Sequence, residues 1–201
     1  MISIGLDVGR EHDPAALAVL SARGTRPSSH RPAWTLLDVG NLALGTDYLK
    51  LAEQAAGLAA EFTGAGYATV LAVDATGIGA AVLEMARRSA PTERIYGVSI
   101  TSGMSLSRSS PDGFTVGKHR LTEGLTVALQ QGGLDTDAHA SPDGVAEFQA
   151  QMAQFVAKPR PGQPTYQRHE AASGHDDLVL AVELALWIGD AMADEAAGVA
   201  T

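Results

Sequence analysis

Hydrophobic and polar positions alternate in blocks over the first forty residues. Apolar runs at 2–7, 15–20 and 34–39 are separated by segments rich in Gly, Pro and Ser. Short apolar runs bounded by turn-forming residues are typical of strands. The start of the chain therefore predicts three strands, which we expect to form antiparallel hairpins.

From residue 47 the pattern alternates between helical and strand-like segments. Apolar positions recur at helical spacing over 47–62 and 79–88, whereas 70–73 and 95–100 are short apolar runs. This alternation predicts parallel strands connected by helices.

The second half of the chain is dominated by helical patterns. Residues 102–112 are rich in Ser and Gly and predict a mobile loop, and the three prolines within 156–168 predict an irregular hairpin. We predict helices over 118–131, over 144–155 and from Ser173 to about Met192. The whole pattern predicts an α/β fold with a mixed sheet flanked by helices.

Length and composition favour one compact domain. The chain has 201 residues, of which 45% are hydrophobic and 18% charged, enough apolar material for a core. We assign residues 1–190 to the domain and expect 191–201 to be a disordered acidic tail. Because there is no cysteine, disulfides, thiolate zinc sites and cysteine nucleophiles are excluded.

The formal net charge of −9 does not attract nucleic acid by itself. The charge is uneven, since 87–170 holds nine Lys and Arg against eight Asp and Glu. No apolar stretch reaches the ~18 residues of a membrane span, and no secretory signal is recognisable. We therefore expect a soluble intracellular protein with no membrane partner.

Several well-known motifs are missing from the sequence. There is no G-x-x-x-x-G-K-[ST] of a P-loop ATPase, no G-x-G-x-x-G after a strand, no G-x-S-x-G elbow and no H-E-x-x-H. These absences argue against most nucleotide-binding, serine-hydrolase and zinc-protease functions.

Two aspartates stand at the ends of predicted strands. Asp7 follows the first apolar run and Asp74 follows 70–73. Ligands bind at the carboxyl ends of parallel strands in open sheets, so two carboxylates there can share a divalent cation. The alternative is structural, because an aspartate after a strand often forms a turn or caps a helix.

Two further aspartates, Asp176 and Asp177, lie near the start of the last helix. Ser173 with Asp176 resembles a capping box, which leaves Asp177 to explain. Helical spacing aligns Asp177 with the apolar positions Ala181, Leu184, Ala185 and Ile188, and Asp176 with the largely polar positions Leu180, Glu183, Trp187, Asp190 and Asp194. We therefore expect Asp177 to point toward the sheet and Asp176 to continue a solvent-facing stripe.

Such a set of carboxylates suits metal-dependent hydrolysis. Three carboxylates can hold two Mg²⁺ or Mn²⁺ ions roughly 4 Å apart, one activating water and one stabilising the leaving oxygen. Mg²⁺ prefers a few carboxylates together with water and substrate phosphates. The pattern therefore favours phosphodiester hydrolysis.

The chain resembles the nuclease domain of the large terminase subunit of tailed double-stranded-DNA phages. Four segments carry the resemblance, and the final H-D-D before an Ala-rich helix is the most specific. They are GLDVGREHDPAALAVL (5–20), VLAVDATGIGAAVLEMAR (70–87), VGKHRLTEGLTVALQQGGL (116–134) and SGHDDLVLAVELALW (173–187).

The resemblance implies a ribonuclease H-like fold and a metal-dependent endonuclease that cuts concatemeric phage DNA during genome packaging. It implies two Mg²⁺ or Mn²⁺ ions held by Asp7, Asp74 and Asp177, with Asp176 beside them. The implied partners are double-stranded DNA, a packaging ATPase domain, the small terminase subunit and the portal. For a chain of phage origin the implied location is the bacterial host cytoplasm. Since no ATPase motif is present, we expect no ATP-driven translocation from this chain.

Five further residues are candidates for substrate contact. Lys118, Arg120, Arg160 and Arg168 would contact phosphates, and His175 would orient a carboxylate or donate to a phosphate. Each also has an ordinary explanation, as part of a solvated helix end or hairpin.

Three other functions stay open at this stage. The LDVG segment also suits an ATP-binding module of the actin or sugar-kinase type, although 201 residues is short for its two lobes. A Holliday-junction resolvase would use similar carboxylates. A ribonuclease H-like domain that only docks a partner would use none of them.

Overall fold

The computed structural model describes residues 1–9, 13–26, 29–136, 141–153, 155–160, 163–171 and 176–199, with the backbone alone for 155–160 and 163–171. Its elements, in chain order, are β1 (Ile2–Asp7), β2 (Ala16–Thr25), β3 (Pro32–Asn41), α1 (Tyr48–Gly64), β4 (Thr69–Asp74), α2 (Gly79–Ser89), β5 (Ile95–Thr101), β6 (Leu106–Ser110), β7 (Gly113–Gly117), α3 (Lys118–Gln130), β8 (Leu134–Asp135), α4 (Pro142–Ala153), β9 (Phe155–Arg160), β10 (Gln163–Ala171) and α5 (Asp177–Ala196).

Eight of the strands form one mixed sheet in the order β6-β7-β5-β4-β1-β2-β3-β8. The first three strands pair antiparallel, as predicted, and β4 and β5 extend the sheet in parallel from β1. Strands β9 and β10 form a separate antiparallel pair with a register irregularity. The predicted α/β fold with a mixed sheet is confirmed.

The loop expected over 102–112 contains a strand. Strand β6 pairs antiparallel with β7 at one edge of the sheet. Four of its five residues are exposed and only Leu106 is apolar, so there is no hydrophobic alternation to reveal it. Its pairing rests on backbone hydrogen bonds to the neighbouring strand.

The two faces of β1 meet different helices. Ile2, Ile4 and Leu6 point into a core that they share with α1 and α2. The alternate residues face α5, where the Ser3 hydroxyl donates to the backbone oxygen of Ala185 at 2.6 Å. This alternation is what a strand buried on both faces requires.

Helix α5 lies directly on the backbone of β1 at Gly5. A Cβ atom on Gly5 would stand 2.1 Å from the backbone oxygen of Ala181 and 2.6 Å from the nitrogen of Ala185. Only glycine permits this approach, so the position of α5 over the sheet is fixed at this residue.

The polar stripe of α5 is buried, contrary to our expectation that it faces solvent. Arg26 donates to Asp190 at 2.8 Å, and the indole nitrogen of Trp34 donates to the same carboxylate at 3.0 Å. Arg31 donates to Asp194, also at 2.8 Å. The β2–β3 hairpin thus covers this side of the helix with paired arginines.

The disordered tail expected over 191–201 is wrong for its first part. Helix α5 continues to Ala196, and Met192 and Asp194 are both 4% exposed. The ion pair to the hairpin holds the final turns in place. None of the described helices combines the length and hydropathy that a membrane span requires.

We expect Gly5→Ala to destabilise the fold. The added methyl group meets helix backbone rather than a mobile side chain. Overpacking of this kind lowers the free energy of unfolding by about 1–3 kcal/mol. Gly57→Ala is the matched control, since its Cβ would meet nothing within 4 Å. On the exposed face of α1 it should stabilise by up to ~1 kcal/mol. Urea denaturation of the two variants measures both effects, and a neutral Gly5→Ala would refute the tight contact.

Candidate metal centre

Asp7 and Asp74 lie at the same edge of the sheet. Strands β1 and β4 are parallel neighbours, and Leu6 lies opposite Val73. The next residue of each strand is its last, so Asp7 and Asp74 lie side by side. The Asp74 carboxylate accepts from the backbone nitrogen of Thr76 at 2.8 Å. This turn directs the chain from β4 toward α2.

The start of α5 differs from the predicted capping box. Asp176, not Ser173, is the N-cap, and its side chain makes no capping hydrogen bond. Its carboxylate pairs with the Lys118 ammonium at the start of α3. Gln151 of α4 instead accepts from the backbone nitrogen of Leu178 at 3.1 Å.

Sequence reasoning missed the buried Gln151, which is 7% exposed. A glutamine on a mostly polar helix carries no special pattern. Its role follows from packing, because α4 contacts the first turn of α5 and a buried helix start needs partners for its free amides.

Five aspartates line one cavity of about 510 Å³. They are Asp7, Asp13, Asp74, Asp176 and Asp177. Asp7 and Asp177 are 7% and 8% exposed, whereas the Asp176 side chain is 22% exposed beside Lys118. The fold thus gathers two strand ends and one helix start around a single space.

The electrostatics of Asp7 reflect this crowding. Burial raises the pKa of the Asp7 carboxyl well above its ordinary value, and the negative charges of Asp74, Asp177 and Asp176 raise it further. Lys118 acts in the opposite direction and lowers this pKa. Added positive charge in the cavity would therefore favour the ionised form of Asp7.

The donor chemistry of the cavity fits a hard divalent cation, because carboxylate oxygens are the ligands that Mg²⁺ and Mn²⁺ prefer. Among the described residues, no three Asp, Glu or His side chains are already grouped closely enough to hold an ion. The charges of Asp74, Asp176 and Asp177 nonetheless raise the pKa of Asp7, which shows that these carboxylates act on a common space.

Of the remaining predicted site residues, the structure describes the side chain of Arg120 alone. Arg120 is exposed and lines a different cavity, of about 150 Å³. The backbones of Arg160 and Arg168 lie in β9 and β10, and their side chains fall outside the described part. His175 also lies outside the described residues.

The smaller cavity borders Glu183, a buried acid that sequence analysis placed on the solvent side. Glu183 is 1% exposed, and neither carboxyl oxygen has a hydrogen-bond partner among the described residues. Burial raises its pKa to about 8. The hydroxyl of Thr122 opposes this increase but donates its own proton to the backbone oxygen of Lys118 at 3.1 Å.

No protein-family model and no curated protein matches the sequence. Solved structures do resemble the fold. The large terminase nuclease from thermophilic phage G20c is 17% identical, with a TM-score of 0.60 over 92% of this chain and 80% of that one. A mutant nuclease domain of the large terminase subunit of bacterial virus Sf6, with manganese and beta-thujaplicinol, is 13% identical, with a TM-score of 0.64 over 92% and 87%.

A viral protein of another host class is equally similar. The human cytomegalovirus terminase nuclease domain, soaked with Mn and bound to an inhibitor, is 14% identical, with a TM-score of 0.61 over 96% of this chain and 85% of that one. The chain therefore shares the fold of terminase nuclease domains. The predicted ribonuclease H-like fold class is confirmed.

We expect Mn²⁺ to raise the melting temperature of the protein, because a ligand that binds the folded state alone stabilises it. Asp7→Asn should abolish this shift. It should also raise the metal-free melting temperature, since a neutral amide removes the repulsion at a buried acid. Asp38→Asn, on the exposed side of β3, is the control and should respond to Mn²⁺ like the wild type. Melting curves that are unchanged by millimolar Mn²⁺ would contradict the metal site.

Glu183 should make stability depend on pH. Its pKa of about 8 in the folded state lies above the ordinary 4.5, so between these values the folded protein holds a proton that the unfolded chain releases. The free energy of unfolding therefore falls as pH rises through this window. Glu183→Gln should flatten that dependence and be more stable than the wild type above pH 8.

Urea denaturation between pH 5 and 9 measures this effect. Glu84→Gln lies on the exposed face of α2 and is the control. Its free energy of unfolding should change with pH in the same way as that of the wild type. If the Glu183→Gln curve also stays parallel, Glu183 is not protonated in the folded state.

Proposed function

We propose that this chain is the nuclease domain of a large terminase subunit, a divalent-metal-dependent endonuclease that hydrolyses double-stranded DNA during genome packaging. The observation that carries the proposal is the single cavity shared by Asp7, Asp74, Asp176 and Asp177. The likeness in fold to terminase nucleases, one bearing manganese, supports the same conclusion.

In this proposal Asp7, Asp74 and Asp177 hold two Mg²⁺ or Mn²⁺ ions. Bound ions of this kind supply an activated water and stabilise the leaving oxygen of the broken phosphodiester bond. The protein contributes the alignment of three carboxylates on rigid elements. The burial of Asp7 and Asp177 limits the water that competes for the same positions.

Lys118 and Asp176 act together at the edge of the cavity. The ammonium group of Lys118 lowers the pKa of Asp7 and so favours the ionised form that a metal ligand needs. Asp176 keeps this ammonium group next to the carboxylates. Both groups also stand where they would meet a substrate phosphate.

The proposed partners follow from the same function. They are double-stranded DNA, a packaging ATPase domain, the small terminase subunit and the portal, within the host cytoplasm for a phage protein. The net charge of −9 supports a weak intrinsic affinity for DNA. The ATPase partner would then bring the DNA to the cavity.

Asp177→Asn should abolish cleavage, whereas Asp176→Asn should leave measurable activity. Asp177 is buried in the cavity, while Asp176 is partly exposed and paired with Lys118. Single-turnover cleavage of a plasmid with Mg²⁺ or Mn²⁺, and with EDTA as the negative control, measures the difference. Asp143→Asn changes the same residue type in the first turn of α4 and should cut normally.

Melting curves would confirm that each variant is folded. If Asp176→Asn is inactive and Asp177→Asn is fully active, Asp176 is the essential metal ligand and Asp177 is not. A wild type that leaves plasmid intact with either ion would contradict the nuclease proposal.

A further inference from the structure

Apolar residues also line the carboxylate cavity, and they include Val8 and Leu180. Two more, Tyr48 and Ile78, line the same space as the aspartates. Neither is needed to hold a metal ion, and an acidic site gains nothing electrostatic from them. They therefore call for a separate explanation.

Ile78 is held in an exposed position by its surroundings. It is 44% exposed and occupies the N-cap of α2 without capping it, a place where isoleucine is among the poorest choices. The preceding turn is fastened, because Thr76 donates its backbone N–H to Asp74 at 2.8 Å and accepts from the backbone of Ile100 at 3.0 Å. The exposure of Ile78 is thus a property of an anchored turn.

Tyr48 joins the carboxylate cavity to a second one. It packs against the core between β1 and α1 and also lines an adjoining cavity of about 330 Å³. The two cavities share Gly9, Asp13 and Tyr48. A groove therefore runs from the aspartates past the tyrosine toward the loop that precedes α1.

The charge of this groove restricts what can hold a substrate there. None of the described residues that line either cavity is a lysine or an arginine. Among the described residues of these walls, a phosphate next to the cleaved one thus meets no lysine or arginine, and Lys118 stands at the edge beside Asp176. Contacts to the uncharged parts of DNA are what the described walls offer, and aromatic and apolar side chains bind sugars and bases without regard to sequence.

We propose that Tyr48 and Ile78 bind the deoxyribose and base of the nucleotides on either side of the cleaved phosphate, with the adjoining cavity taking the nucleotide nearest Tyr48. This inference rests on the proposed nuclease function. It assigns the two residues to substrate binding and leaves the metal ligands unchanged.

The test measures DNA binding and cleavage separately. The Kd of a fluorescent DNA duplex is measured by anisotropy in Ca²⁺, and KM and kcat by cleavage in Mn²⁺. Tyr48→Ala and Ile78→Ala should each raise Kd and KM about fivefold or more, because each variant loses an apolar contact to the substrate. The kcat value and the melting shift caused by Mn²⁺ should stay close to the wild type.

Matched controls exist elsewhere on the surface. Tyr67 is 49% exposed and Val127 is 43% exposed, and neither lines the groove. Tyr67→Ala and Val127→Ala should bind and cut DNA like the wild type.

Salt dependence distinguishes an apolar contact from a phosphate contact. The slope of log Kd against log salt reports the number of phosphates neutralised. Tyr48→Ala and Ile78→Ala should raise log Kd by the same amount at every salt concentration, so the slope should stay that of the wild type. A changed slope would overturn the assignment to sugar and base.

The remaining outcomes separate this inference from the nuclease proposal. If Kd and KM of the two variants match those of their controls, the inference is wrong even when the wild type cuts DNA. If the wild type binds the duplex and never cuts it, the nuclease proposal fails and the Kd comparison still decides the role of the two residues. A wild type that does not bind the duplex even at low ionic strength, where a weak electrostatic affinity is greatest, overturns both.

Discussion

The packing of α5 on β1 at Gly5 is the contact on which the arrangement of the acidic cavity depends. Asp7 lies two residues beyond Gly5 on the same face of the strand, and Asp177 lies one turn before Ala181 on the helix. The helix backbone approaches Gly5 so closely that a single methyl group would not fit. The distance between strand end and helix start is thereby set by backbone contact, which is less adjustable than contact between side chains.

The fold tolerates buried acids on α5 by two different means. At its far end, Asp190 and Asp194 are neutralised by arginines of the β2–β3 hairpin. At its start, the positive end of a 20-residue helix and the ammonium group of Lys118 offset part of the charge on Asp176 and Asp177. Lys118 also lowers the pKa of Asp7, but burial and the neighbouring aspartates keep that pKa raised, so the compensation at Asp7 is incomplete. Charge is therefore balanced where the helix is structural and left unbalanced where a cation would bind.

The sequence predicts the elements of the site better than their surroundings. Asp7 and Asp74 follow short apolar runs, so their place at strand ends can be foreseen from local pattern alone. The burial of Glu183 and Asp190 cannot be foreseen in this way. Helical spacing shows which residues share one side of a helix, but it does not show what covers that side. The covering arginines lie some 160 positions away in the sequence. The strand at 106–110 is equally hidden, since an exposed edge strand has little hydrophobic pattern.

Under the proposed function, the unbalanced charge of the cavity would link metal binding to DNA binding. The carboxylates repel a phosphate, and a bound divalent cation would remove much of that repulsion, so the affinity for DNA would be higher with metal bound. Linkage requires the converse by the same factor, and DNA therefore raises the affinity for metal. Among the described residues no three acids or histidines are already arranged to hold an ion, so part of the free energy of metal binding would be used to arrange the carboxylates. In a chain with a net charge of −9, this coupling would restrain the proposed hydrolysis until substrate and metal are both present.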